Sequence, residues 1–222
     1  MDDPIDAPIE GRPDDSDTAG SSLAPSRSLH APSRSLHEMA DLLGGRVWLE
    51  RRLFESLGRW ATDAAADSES DGAAGPAALH LAEASRRHGW HAQVWFDRMP
   101  ELSGFDVEAR VVPSDPGLVA LFDLLDGSDP ATATVVRLDA YGRVLLPRMI
   151  VAYRATVGRL GAAADASVAR WSRLVLVDDL EAWEQAESVL QRVVRTEEQL
   201  DALAASRRRV DSLLLGAAPL PT

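Results

Sequence analysis

From residue 36 onward, large apolar residues return every three or four positions and alternation is never sustained, so the chain reads as helices with almost no strand. Four long runs carry the pattern. The first opens on Ser35 and Glu38, spaced as a capping box, and holds the stripe Leu36, Met39, Leu43, Val47, Phe54, Leu57 and Ala61. Gly44 and Gly45 permit a bend in it. The second opens on Gly75-Pro76 and stops near Arg98, before Pro100. The third follows Asp129-Pro130 and reaches Leu160, with a kink predicted at Pro147. The fourth follows Asp165 and runs to about Val194. Asp115-Pro116 opens a short connector helix ending near Gly127, and the Thr196 to Gln199 stretch either caps a fifth helix or lies inside a longer fourth. An antiparallel four-helix bundle over residues 35–215 is the expected fold, with a C-terminal helical extension.

Residues 1–34 break the pattern. They are rich in Asp, Ser, Pro and Gly, poor in large apolar side chains, and are expected to form a disordered acidic tail. Within and beyond it, APSRSLH at 24–30 recurs at once as APSRSLH at 31–37. This tandem duplication is either a replication scar or a segment presenting Arg27, His30, Arg34 and His37 to a partner.

Laying each run on a helical wheel shows which ionisable residues interrupt the apolar stripes. Glu50 falls on the first stripe. Asp139 falls on the third, beside Val135, Leu138, Leu145, Leu146, Met149, Tyr153 and Val157; Gly142 leaves room there for a ligand or a close helix contact, and Tyr141 turns away. Asp179 falls on the fourth, with Asp178 at its edge. The second run is the polar one. In LHLAEASRRHGWHAQVWFDRMPEL, residues 79–102, His80, Glu83, Arg87, His91, Val94 and Trp95 share a face, and His88 reads as a half-exposed neighbour. Each long helix thus turns one carboxylate inward. Four uncompensated buried carboxylates would cost several kcal/mol each, so cations are expected among them. Either metal ions serve, or arginines such as Arg51, Arg87 and Arg148.

The order and number of helices, with Glu50, Glu83, Asp139 and Asp179 one to each, resembles the ferritin-like superfamily. Its bundles hold two metals with a Glu from each of two helices and a Glu-x-x-His pair from each of the other two. The stretch RRHGWHAQVW also resembles a segment of actinobacterial proteins in that group. The resemblance implies a dinuclear iron or manganese centre at Glu50, His80, Glu83, His91, Asp139 and Asp179, used by an oxidase or oxygenase of a small organic molecule. The chain departs from that pattern in the reversed order of His80 and Glu83 and in Ala182, which stands where a histidine would follow Asp179. A metal-free alternative keeps the pocket. His91 and Arg87 would act as catalytic groups, and Trp90, Trp95 and Tyr153 would line it for a cyclase or isomerase of a secondary metabolite, or for a ligand-binding or interaction protein.

Composition narrows the partners. Lys and Arg number 23 against 35 Asp and Glu, a net charge of -12, so nucleic acid is not an expected partner. With no cysteine, thiolate nucleophiles, disulfides and zinc-finger chemistry drop out. The acidic start MDDPIDAPIEGRPDDSD does not look like an export signal and no stretch resembles a membrane span, so a cytoplasmic location is expected. The last run, EEQLDALAASRRRVDSLLLG, reads as a packing or dimerisation helix with Arg207 to Arg209 on a solvated face, which leaves a homodimer among the expectations.

Overall fold

The computed structural model describes residues 34–71, 75–101, 103–129, 132–161, 165–214 and 220. Among them the chain is helical and contains no strand. The tail expected over 1–34 lies outside the described residues except for Arg34. The elements are α1 (Leu36–Asp71), α2 (Gly75–Phe96), a 3₁₀ turn at Glu108–Arg110, α3 (Pro116–Asp126), α4 (Ala133–Ala140), a π-helical turn at Tyr141–Leu145, α5 (Leu146–Arg159), α6 (Ala166–Val193) and α7 (Glu197–Leu214). No helix is long and apolar enough to cross a membrane, among the described residues.

Local chemistry sets the ends. The backbone N–H of Ser35 donates to Glu38 Oε2 at 2.8 Å and that of Glu38 donates to Ser35 Oγ at 3.2 Å, closing the capping box at the start of α1. Asp115 accepts from the Gly117 N–H at 2.6 Å, with Pro116 behind it, and starts α3. Thr196 and Gln199 form a second reciprocal cap, so α7 is a separate helix. Pro147 has no N–H for the turn before it, and the chain meets this with the π-helical turn directly ahead of α5.

Contacts between named residues give the directions. Gly58 of α1 faces Ser85 of α2, while Arg51 lies under Phe96, so α1 and α2 are antiparallel. Arg137 of α4 reaches Asp63 of α1, and Tyr153 of α5 reaches Glu50, so the α4–α5 run is antiparallel to α1. His91 of α2 reaches Asp178 of α6 and Arg98 stacks over Trp171, so α2 and α6 are antiparallel too. Arg143, in the π-turn, pairs with Glu187, and Arg46 links Thr156 of α5 to Ser172 of α6, which makes α6 antiparallel to the α4–α5 run. It follows that α2 and α5 run the same way, and the segment between them must return along the length of the helices. That return holds the 3₁₀ turn and α3. Gly44 makes room for it: a Cβ there would stand 2.0 Å from the carbonyl oxygen of Arg110.

The apolar core is continuous, from Leu43, Leu53 and Leu57 through Trp60, Leu81 and Trp95 to Leu138, Leu145 and Val175, all within 1 % of full burial. α7 covers the outer side of α3 and α4 and closes the core with Leu203, Val210 and Leu214. At Gly142 the two alternatives resolve into a close helix contact, because a Cβ there would lie 2.8 Å from Ala186 Cβ on α6. Gly142→Ala is therefore expected to lose about 1–3 kcal/mol in urea unfolding. In a double-mutant cycle with Ala186→Gly, favourable coupling is expected; strict additivity would show that the two backbones are not in contact.

Candidate metal centre

At mid-length, α1 and α2 bring three ionisable side chains together. Glu50, His88 and His91 are each 0 % exposed, and one ligand atom from each lies within 4.8 Å of the other two, so they can hold a metal ion. His88 and His91 are one helical turn apart and share a side of α2. Nδ1 of His88 is 2.6 Å from Glu50 Oε2, and its Nε2 is 3.0 Å from the Tyr141 hydroxyl. Tyr153 donates to Glu50 Oε1 at 2.7 Å and accepts from Trp95 Nε1 at 3.0 Å. Trp95 and Tyr153 stack at 5.8 Å, and the buried Arg46 guanidinium sits 4.9 and 4.6 Å from their ring centres while donating to Ser172 and Thr156.

The side towards α6 is less complete. Nε2 of His91 is 3.1 Å from Asp178 Oδ2, but its Nδ1 has no hydrogen-bond partner, 3.6 Å from Glu50 Oε2. Asp179 is fully buried and neither carboxylate oxygen has a partner. Nε2 of His80 is likewise unpartnered. Buried polar atoms are nearly always bonded, so these unpartnered ones call for an explanation.

The charges divide unevenly. Burial alone would raise Glu50, but His88 and His91 outweigh it and hold its carboxyl well below the usual carboxylate range. Burial disfavours the His91 cation as well, yet Glu50, Asp178 and Asp179 overcome it and push His91 up to about 10. Burial keeps His88 down and neutral, against the pull of Glu50. Asp179 is raised well above its ordinary value, first by burial and then by the Glu50 charge. Burial lifts Tyr141 and Tyr153 far above the ordinary phenol, and burial with Arg87 lowers His80 to about 4. Without a metal, these directions favour an ionic Glu50–His91 contact, with the Asp178 carboxylate on the far nitrogen of His91 and the Arg46 guanidinium behind Tyr153.

Of the residues singled out from the sequence, Glu50, His91, Tyr153 and Trp95 meet here, Asp179 lies within electrostatic reach of Glu50 and His91, and Trp90 packs against His91 at 5.3 Å and is 47 % exposed. Arg87 donates to the Asp178 carbonyl at 3.4 Å. His80 lies further along α2, its ring 6.1 Å from Tyr141. Glu83 faces solvent. Asp139 is drawn elsewhere: Arg207 of α7 grips it through Nε at 3.1 Å and Nη2 at 2.6 Å, and Arg143 adds a contact at 3.2 Å. Arg207 is thus a clamp on Asp139 and not merely part of a solvated face. Arg51, one of the suggested neutralisers, pairs with Glu108.

Sequence reasoning missed His88, Tyr141 and Arg46. The signal for His88 was its spacing of three from His91. α2 packs against both α1 and α6, so its buried arc is wider than a single stripe and reaches His88. Tyr141 was placed outside by a wheel of constant pitch, whereas it opens the π-turn and is fully buried.

No protein-family model, curated protein or solved structure matches the chain. Asp179, as a buried acid without a partner, should contribute little to the metal-free fold. Asp179→Leu is expected to melt no lower than the unaltered chain in the presence of a chelator, by calorimetry. A clear drop would mean that the carboxyl is held by a bond of its own.

Proposed function

We propose that this chain is a ferritin-like metalloprotein that acts on a small organic molecule through iron or manganese held by Glu50, His88, His91 and Asp179. The observation that carries this reading is the convergence of Glu50, His88 and His91, with the buried, unpartnered carboxyl of Asp179 within electrostatic reach of Glu50 and His91. The donor set fits: two imidazoles with carboxylate is the combination non-haem iron takes in oxygenases. The antiparallel pairings of α1, α2, α6 and the α4–α5 run, with a long return after α2, support the ferritin-like part of the reading. The sequence-based expectation of two metals is narrowed to one, since Glu83 and Asp139 lie apart from Glu50.

Bound there, the metal supplies one-electron redox chemistry and activation of dioxygen. The protein's own part is positioning. Tyr153 holds Oε1 of Glu50 and leaves Oε2 to face the histidines. Asp178, 35 % exposed at its side chain, links His91 Nε2 to solvent and offers a path for protons. Trp90, partly exposed beside His91, with Arg87 near Asp178, marks the side from which a small substrate would approach. Burial of Glu50, His88 and Asp179 keeps bulk water from the reacting region.

A second reading is favoured by one feature: both oxygens of Glu50 already have partners, in Tyr153 and His88, without any metal. On that reading the bundle is a metal-free isomerase or binding protein, with His91 as acid and base. Metal analysis separates the two. Protein grown with added iron and manganese should carry about one equivalent, and Glu50→Ala or His91→Ala should fall below roughly a tenth of that, while Glu83→Ala keeps it. Metal-free protein that remains unchanged by chelators, with activity more sensitive to Arg87→Ala than to Asp179→Ala, would establish the second reading instead.

A further inference from the structure

The chain has only two tyrosines in 222 residues, and the hydroxyls of both are engaged with this cluster. Tyr153 bonds the carboxylate. Tyr141 does something different, since it stands behind His88, on the nitrogen remote from Glu50.

The two histidines differ in what backs them. His91 Nε2 meets the Asp178 carboxylate, and an ionised carboxylate only accepts; Nε2 therefore keeps its hydrogen and Nδ1 is the nitrogen offered to the centre. That nitrogen is the unpartnered one. His88 Nδ1 instead lies against the Glu50 carboxylate at 2.6 Å, so in the metal-free protein the neutral ring carries its hydrogen on Nδ1, and Nε2 is an acceptor for the Tyr141 hydroxyl. A metal at the centre needs the lone pair of Nδ1, which moves that hydrogen to Nε2. A backing carboxylate or carbonyl could not donate in the first state. A phenol hydroxyl donates in the first and accepts in the second.

We propose that Tyr141 is a positioning residue that lets His88 change tautomer, from Nδ1–H facing Glu50 to Nε2–H facing Tyr141, as Nδ1 takes up the metal. This rests on the metal reading given above. One hydrogen moves from Nδ1 to Nε2 of the same neutral ring, the Tyr141 O–H turns away, and no net proton is gained or lost by His88. The π-turn is part of the device, because Tyr141 opens it with its side chain buried against α2. His91 keeps its Nε2–H and gives up the hydrogen on Nδ1, which leaves the centre as a proton when the metal binds, whereas His88 keeps its one hydrogen and adapts by moving it.

The experiment uses the full chain labelled with ¹⁵N-histidine, with zinc as a diamagnetic probe, and reads the ring nitrogens by long-range ¹H–¹⁵N correlation. With chelator, His88 should carry its hydrogen on Nδ1; with zinc, on Nε2. His91 should keep the Nε2 hydrogen throughout. Tyr141→Phe should bind zinc about 10–100-fold more weakly, because the buried Nε2–H then has no acceptor. Zinc bound with the His88 tautomer unchanged overturns the switch alone, as does a folded Tyr141→Phe with the original affinity. If the unaltered chain takes up no zinc, the metal reading falls and the switch with it. Should Tyr141→Phe fail to fold, the tautomers of the unaltered chain decide.

Discussion

A carboxylate at the centre of a helical bundle has to be compensated, and the arrangement around Glu50 follows from that requirement. Taking one ion out of water costs several kcal/mol even after relaxation, and only close, well-directed partners recover it. Glu50 meets the demand with two imidazoles and a phenol drawn from two other helical segments, α2 and α5. Those contacts fix the rotation of α2 and α5 about their axes. They also fix Trp95, whose N–H has its partner in the Tyr153 hydroxyl, and through the stacked rings they place the Arg46 guanidinium between α5 and α6. A polar centre of this kind specifies one packing of the helices, since any rotation would strand a buried donor or acceptor.

The same reasoning explains the loose side. The pairs nearest α1 are complete, whereas His91 Nδ1 and both oxygens of Asp179 have none. A purely structural network would be expected to finish itself, with an arginine or a hydroxyl opposite Asp179. Here Arg87, the closest guanidinium in charge terms on that side, hydrogen-bonds the Asp178 carbonyl instead. Unfinished polar groups in an otherwise well-packed interior are where proteins place ligands.

Much of the scaffold was legible because it is written locally. Capping boxes at Ser35 and Thr196, the Asp115-Pro116 start and the helical spacing of apolar residues each act within a few positions. Glu50 and Asp179 were legible for a related reason, as acids on a stripe that a regular wheel predicts well. What the wheel could not carry was anything non-local or irregular. Asp139 lies on its stripe as expected, but the guanidinium that takes it comes from Arg207, 68 residues later in α7. Tyr141 moved inward because the turn it opens is wider than an α-turn, and nothing in the periodicity announces that. His88 was passed over because α2 was treated as having one buried face when it has two neighbours.

The diversion of Asp139 and Glu83 bears on how many cations the centre suits. If all four stripe-facing acids had converged, four negative charges would have matched two divalent ions. With one acid clamped by Arg207 and one in solvent, the buried acids left at the centre are Glu50 and Asp179, with the partly solvated Asp178 behind His91. Two carboxylates with neutral imidazoles balance one divalent cation, and a second would leave two uncompensated positive charges in a buried site at high desolvation cost. Burial is the first reason Asp179 is raised in the metal-free state, and the Glu50 charge adds to it, only partly offset by His91. Metal binding and ionisation of Asp179 are therefore one event on the proposed reading. A carboxyl that burial raises is costly to ionise, so the stability a divalent ion adds is reduced by that work.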